Sequence, residues 1–210
     1  PLTNDQNFAV VAIRKDLASE RPMQRLLQAD VGAGKTAVAV YALLVTVANK
    51  HQAAIMAPTE VLARQHWNTL ETYLANSRVR RLLLTGSLTT GQRRAALDAI
   101  RAGEVDLVVG TTSLVQEDVQ FARLGLVVID EQHKFGVRQR AALKKAGVDP
   151  HYLVMTATPI PRTVSMTLFG DLDVSTLREP PPGRWAIDAE VAIEPRLVAA
   201  PVHKLMQLVA

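Results

Sequence analysis

The chain of 210 residues contains no cysteine, which excludes a disulfide framework, a thiolate nucleophile and any Cys-ligated zinc or iron–sulfur centre. Aromatic residues are scarce, at four Phe, three Tyr and two Trp, and they are scattered at core-like positions. That distribution argues against a base-stacking platform for single-stranded nucleic acid. Long apolar runs are also missing: the longest, Ala37 to Ala48, includes Thr46 and falls short of the ~20 residues a membrane-spanning helix needs. The opening Pro-Leu-Thr-Asn-Asp-Gln has neither a basic n-region nor an apolar h-region, so no signal peptide and a cytoplasmic location are expected. Nor does charge of one sign dominate. A formal charge of +4 and an isoelectric point near 9.6 permit an anionic partner without requiring one. The basic clusters Arg78, Arg80, Arg81 and Lys134, Arg138, Arg140, Lys144, Lys145 read as solvated faces.

What is present is a well-stocked core, with 48% hydrophobic residues, enough to exclude disorder and to build one domain with a short extension. Short apolar, β-branched runs predict strands over Arg25–Ala29, Ala53–Ala57, Arg81–Thr85, Asp106–Gly110, Leu126–Asp130 and Leu153–Ala157. Leu107-Val108-Val109 and Val127-Val128-Ile129 lack polar alternation, so these strands are expected to be covered on both faces. Helical patterns lie between them: Lys35–Asn49, apolar nearly all round; Glu60–Leu74, with a stripe at Val61, Leu62, Trp67, Leu70 and Leu74; Gly91–Ala102; and Val137–Ala146. The alternation predicts an α/β domain of three layers, a mostly parallel sheet with helices on both faces. The pattern breaks at Pro180-Pro181-Pro182-Gly183, which reads as a linker. Residues 1–179 are therefore expected to form the domain. Residues 180–210, with one alternating strand at Ile187–Ile193 and an amphipathic tail from Arg196, are expected to be a linker and the first elements of a second unit.

The strongest chemical signal is Ala29-Asp30-Val31-Gly32-Ala33-Gly34-Lys35-Thr36, after a predicted strand and opening a predicted helix. In a phosphate-binding loop the backbone N–H groups wrap the anion, glycines permit the close approach, and the helix N-terminus adds its positive dipole end. Lys35 would reach the β- and γ-phosphates, and the Thr36 hydroxyl would ligate Mg²⁺. Ala29 stands where GxxxxGK[ST] has its first Gly. Asp130 and Glu131 end an apolar strand, at the edge where such sheets bind ligands. Asp130 could hold Mg²⁺ while Glu131 orients and deprotonates the attacking water. His133 follows, placed to sense the γ-phosphate, and Thr156-Ala157-Thr158-Pro159 forms a hydroxyl-rich turn at the same edge.

Taken in order, Gly32-Ala33-Gly34-Lys35-Thr36, Ala57-Pro58-Thr59-Glu60, Asp130-Glu131-Gln132-His133 and Thr156-Ala157-Thr158-Pro159 resemble the motifs of superfamily 2 helicases and translocases. The flanks Asp130–Gln139, Pro159–Thr163, Gly170–Asp173 and Pro181–Arg184 narrow the resemblance to the RecG family of bacterial ATP-dependent DNA helicases. The resemblance implies a RecA-like P-loop fold, ATP and Mg²⁺ as cofactors, and branched or forked DNA as partner, with no membrane. It further implies that Gln6, in the segment with Leu2-Thr3, contacts adenine, and that Gly32, Ala33, Gly34, Lys35, Thr36 and His133 hold the nucleotide. Thr59, Glu60, Thr85, Gly86, Gly110 and Thr111 would touch the DNA backbone, and Thr156 and Thr158 would couple hydrolysis to DNA movement. Hydroxyls and backbone N–H groups suit phosphate contacts, which carry no sequence information.

Four positions depart from the family pattern: Ala29, Thr112-Ser113 in place of His-Ala, and Lys134 in place of Arg, which loses the planar fork. The family implies a second RecA-like lobe that supplies arginines, and an N-terminal wedge domain; these 210 residues hold neither. An absent arginine finger costs about 10³–10⁵ in rate. The chain alone is therefore expected to bind ATP·Mg²⁺ and DNA weakly and not to unwind. Two other readings stay open on the sequence: a small P-loop phosphotransferase, and a non-catalytic nucleic-acid-binding remnant.

Overall fold

The computed structural model describes residues 2–29, 32–130, 149–157 and 172–179. The chain runs α1 (Asn4–Leu17), β1 (Gln24–Ala29), α2 (Lys35–Ala48), β2 (Gln52–Met56), α3 (Glu60–Tyr73), β3 (Arg81–Leu84), α4 (Thr90–Ala102), β4 (Leu107–Gly110), a 3₁₀ turn (Thr112–Val115), β5 (Leu124–Asp130), β6 (His151–Thr156) and β7 (Asp173–Leu177). The strands form one sheet in the order β3-β4-β2-β5-β6-β1-β7, and every pairing is parallel. All six expected strands are present. The expected helices at 35–49, 60–74 and 91–102 are present too, with ends displaced by a residue at most. The expected helix Val137–Ala146 and the expected strand Ile187–Ile193 lie outside the described residues.

Strand periodicity sorts the core into two layers. Leu27, Ala53, Ile55, Leu107, Val109, Leu126, Val128, Leu153 and Met155 face one side, where α1, α2 and α3 pack. Leu26, Ala54, Met56, Val108, Val127, Ile129, Tyr152 and Val154 face the other, together with Ala96 and Ile100 of α4. Both faces of the central strands are thus covered, which is why their sequences are continuously apolar. The same geometry explains α2. It lies between the sheet and α1, and every residue from Ala37 to Val47 is buried. Each buried Val or Leu there contributes roughly 1.5–3 kcal/mol. No helix among the described residues is long and apolar enough to cross a membrane.

Two elements were not expected from the sequence. Helix α1 is opened by a reciprocal cap, in which Thr3 Oγ1 accepts from the Gln6 N–H and Gln6 Oε1 accepts from the Thr3 N–H. Strand β7 is an edge strand with only Leu177 buried, pinned at both ends by polar contacts. Near its start, Arg25 of β1 donates to Ser175 Oγ at 2.9 Å and pairs with Asp16 at 2.6 Å. Past its end, Asp5 of α1 accepts the N–H groups of Arg178 and Glu179 at 2.7 and 3.1 Å, and Glu179 accepts the Asn4 N–H. These N–H donors hold the Asp5 carboxyl below its ordinary pKa.

The Arg78–Arg81 cluster is mostly structural. Arg80 forks onto both carboxylate oxygens of Asp106, at 2.6 and 3.0 Å, and Arg81 pairs with Glu71 while donating to the Leu74 carbonyl. The Lys134–Lys145 cluster lies outside the described residues.

Candidate nucleotide site and DNA-contact edge

Parallel strands deliver their carboxyl ends to one edge of a sheet, and that edge is where the candidate residues collect. Strand β1 ends at Ala29, a buried residue whose small side chain is accommodated where the motif has glycine. The loop that follows has Gly32 at φ 84° and Gly34 at φ 81°, a left-handed conformation that glycine adopts without steric cost. From Gly34 the chain turns into α2, and the first helical bond runs from the Ala37 N–H to the Gly34 carbonyl. No side chain caps this helix and its first turn holds no acid. The positive dipole end of such a helix favours an anion. Lys35 and Thr36, half-buried, stand in that first turn.

Gln6 is drawn into the same loop. Its side chain is only 1% exposed, and its Nε2 donates to the Ala33 carbonyl at 2.9 Å while its Oε1 is held in the α1 cap. Both ends of this amide are engaged, so Gln6 ties α1 directly to the phosphate loop.

On β5, Asp130 is buried and its Oδ2 lies 2.6 Å from Nε2 of His66 on α3. Its other oxygen, Oδ1, is buried with no hydrogen-bond partner. Among the described residues it shares that condition only with the Tyr41 hydroxyl. An unpartnered buried carboxylate oxygen is a donor that a cation could use. No group of three or more His, Asp or Glu able to hold a metal occurs among the described residues. A cation here would thus rest on one carboxylate, a hydroxyl such as that of Thr36, and the oxygens of a ligand. This is the habit of Mg²⁺, which keeps most of its shell from water and phosphates. Hard oxygen donors and the open Oδ1 fit that ion. Thr156 ends β6, in register with Gln28 of β1. Glu131, His133 and Thr158 lie outside the described residues.

The candidate DNA contacts assemble at the neighbouring ends of β2, β3 and β4. Thr59 caps α3, its Oγ1 accepting the Leu62 N–H. Glu60 Oε1 accepts the Gly86 N–H at 2.8 Å, and Arg64, one turn on, donates to Ser87 Oγ at 2.9 Å. The Thr85 hydroxyl, itself buried, pairs with Ser87 Oγ. A Cβ on Gly86 would fall 2.8 Å from Glu60 Oε1, the far end of a flexible side chain, so a larger residue there would displace the Glu60 carboxylate from its bond. Gly110 is tighter still: a Cβ there would meet the Leu84 carbonyl oxygen at 2.7 Å and Leu114 at 2.9 Å. Thr111 caps the 3₁₀ turn through the Ser113 N–H, so Ser113, one of the departures from the family pattern, takes part in closing the turn.

Two site residues had no mark in the sequence reading. Arg64 is an exposed cation beside the Thr85–Ser87 loop, legible only once α3 is known to pack there. His66 is a lone histidine in a polar helix, and nothing in its spacing points to Asp130.

The DEAD/DEAH box helicase family model matches residues 3–167. ATP-dependent DNA helicase RecG of Streptococcus pneumoniae is 49% identical over 186 residues, covering 89% of this chain and 27% of that protein. RecG of a Synechocystis strain is 52% identical over 190 residues, covering 90% of this chain and 23% of its own length. A solved structure of RecG bound to a three-way DNA junction superposes with a TM-score of 0.75 at 43% identity, over 89% of this chain and 25% of that one. The chain thus spans about a quarter of the length of the curated relatives it matches. The fold is the RecA-like three-layer arrangement that the motifs implied, and the family match covers well over half of the sequence. On that evidence the chain belongs to the DEAD/DEAH box helicase family.

Proposed function

We propose that this chain is the nucleotide-binding lobe of an ATP-dependent DNA helicase or translocase that remodels branched DNA, as in fork reversal and Holliday junction branch migration. One observation carries the nucleotide assignment. An uncapped helix N-terminus under a two-glycine turn shares a sheet edge with a buried aspartate whose Oδ1 has no partner. The RecG relatives and the junction-bound structure support the DNA assignment.

In this reading the N–H groups around Gly32–Thr36 wrap the β- and γ-phosphates, and the Lys35 ammonium offsets their charge. Thr36 and Asp130 would hold Mg²⁺, which when bound neutralises charge on the β- and γ-oxygens and orients them for in-line attack. Glu131 takes the proton of the attacking water, and His133 responds to the γ-phosphate. Gln6, its amide engaged by Ala33 and by the α1 cap, would contribute to adenine recognition by holding α1 against the loop.

Thr59, Thr85, Gly86, Gly110 and Thr111 contact DNA backbone phosphates. Glu60 belongs to this set through the loop it holds, because a carboxylate repels a phosphate and its oxygen is already given to Gly86. Thr156 and Thr158 pass the state of the nucleotide to the DNA edge. Residues 1–179 form this lobe, and 180–210 the linker and first elements of a second lobe, whose arginines complete the cleft. A wedge domain preceding the lobe splits the junction, and the whole acts on the bacterial nucleoid in the cytoplasm.

The test is ATP turnover by the protein containing this lobe and a second one, with and without forked DNA. Lys35→Ala is expected to lower turnover by at least about 100-fold and Glu131→Gln comparably, with DNA stimulation seen only in the unaltered protein. Unchanged turnover in both variants would refute the site, and turnover indifferent to forked DNA would refute the motor.

A further inference from the structure

Asp130 is not alone at the end of β5. About two turns along α3 from Thr59, His66 brings Nε2 to 2.6 Å from Asp130 Oδ2, with 14% and 8% of the two side chains exposed. An ionised carboxylate only accepts, so Nε2 carries a proton and donates it to this bond. The two oxygens of one carboxylate therefore have different surroundings: Oδ2 is held by an imidazole, and Oδ1 is buried and unpartnered. A carboxylate on a short side chain can turn about its last bond and exchange its oxygens. One strong, buried bond to Oδ2 removes that freedom and decides which oxygen stays open.

We propose that His66 is a positioning residue that fixes Asp130 through Oδ2 and so presents Oδ1 to Mg²⁺. The inference rests on the nucleotide-site reading above. It adds a residue from α3, outside every motif that marked the site. Partners of metal-ligating carboxylates orient their ligand, and their loss typically costs about 10–100-fold in metal affinity or activity.

The experiment is titration of the 210-residue chain with a fluorescent ATP derivative, in Mg²⁺ and again in EDTA. It compares the unaltered protein with His66→Ala, His66→Gln, Lys35→Ala and Asp130→Asn, each checked by its melting curve. The quantity read is the ratio of the two affinities. In His66→Ala that ratio is expected to fall about tenfold or more, alongside Asp130→Asn, while affinity in EDTA stays as in the unaltered protein. His66→Gln can place an amide N–H near the former Nε2 and is expected to recover most of the ratio. Where His66→Ala melts too low to titrate, His66→Asn, with an amide too short to reach, takes its place. Equal losses in Mg²⁺ and EDTA would make His66 a packing residue and overturn the proposal. So would an unchanged ratio in His66→Ala beside a lowered one in Asp130→Asn. Should Lys35→Ala bind as the unaltered chain does and Asp130→Asn keep its ratio, the nucleotide-site reading itself fails and takes this inference with it.

Discussion

The carboxyl edge of the sheet has two halves, and they differ in how their polar groups are used. Around β3, β4 and β2 the candidate groups already engage one another: Thr59 caps α3, Glu60 holds Gly86, Thr85 meets Ser87, and Thr111 closes its own turn. Around β5, β6 and β1 two features differ among the described residues: Gly34 offers α2 no side-chain cap, and Asp130 Oδ1 has no hydrogen-bond partner. The first half has its polar groups bonded to one another, which on the proposed function suits a partner recognised by shape and backbone charge. The second half, on the proposed function, would be completed by an anion and a cation. Helices α1, α3 and α4 are each capped by a threonine, so the bare start of α2 is a local exception within one chain. The His66–Asp130 bond crosses the division, because α3 begins in one half and reaches Asp130 in the other.

The division can be broken from either side. Gly34→Ala forces a side chain into φ 81° at the open helix start, a strain of about 1–2 kcal/mol. Nucleotide affinity is expected to fall about tenfold or more, with binding to forked DNA unchanged. Parallel titrations with nucleotide and with DNA check both halves of that statement, and a matching loss of DNA affinity would show that the halves are not separate.

On the other side, Glu60→Ala releases the Gly86 N–H from its anchor at 2.8 Å. With a net hydrogen-bond value near 1 kcal/mol, DNA affinity is expected to drop about fivefold while nucleotide affinity holds. A DNA affinity that rises instead would mean that the carboxylate faces the phosphates.

Thr89→Ala removes the cap of α4, which serves neither ligand. Chemical denaturation is expected to show a loss of about 1 kcal/mol in stability, with both affinities intact.

The smallest effect concerns the opposite edge of the sheet. His151 accepts the Met23 N–H through Nδ1, and burial holds its pKa below the ordinary 6.5. The fold therefore favours the neutral ring. The stability this contributes is fully present above pH 6.5 and is lost as the pH falls below that value toward the folded pKa. Melting temperature is expected to decline between pH 7 and the acid side of this window, and His151→Gln to flatten that decline without affecting nucleotide binding at neutral pH.

Much of the fold was legible because buried parallel strands and a buried helix carry uninterrupted apolar runs. Val127-Val128-Ile129 and the run from Ala37 to Val47 could not be mistaken for surface. Strand β7 was not, since an edge strand with one buried residue has no such run. Helix α1 mixes Phe8, Val10 and Ile13 with polar residues on every face, leaving Phe8 and Val11 exposed. Its real signal was the spacing of Thr3 and Gln6, a threonine followed three residues later by glutamine. In the candidate site, the glycine turn opening a helix at Lys35 and the place of Asp130 at the end of an apolar strand were legible from the strand-loop-helix pattern. The engagement of Gln6 with Ala33, of Glu60 with Gly86, and of His66 with Asp130 was not. Each joins elements distant in the chain, and their approach depends on strand order, which alternation of strands and helices leaves undetermined.

Strand order has a consequence for how the molecule comes into being. Strand β1, which leads into the phosphate loop, pairs only with β6 and β7, both more than a hundred residues later in the chain. The other strands find partners sooner: β2 with β4 and β5, and β3 with β4. As the chain leaves the ribosome, the edge at β2, β3 and β4 can close while β1 and its loop still wait for neighbours, since distant pairings form last. The first strand of the sheet to be translated is thus among the last to be seated. A nascent chain can seat β1 between its two neighbours only when β6 and β7 have both been made.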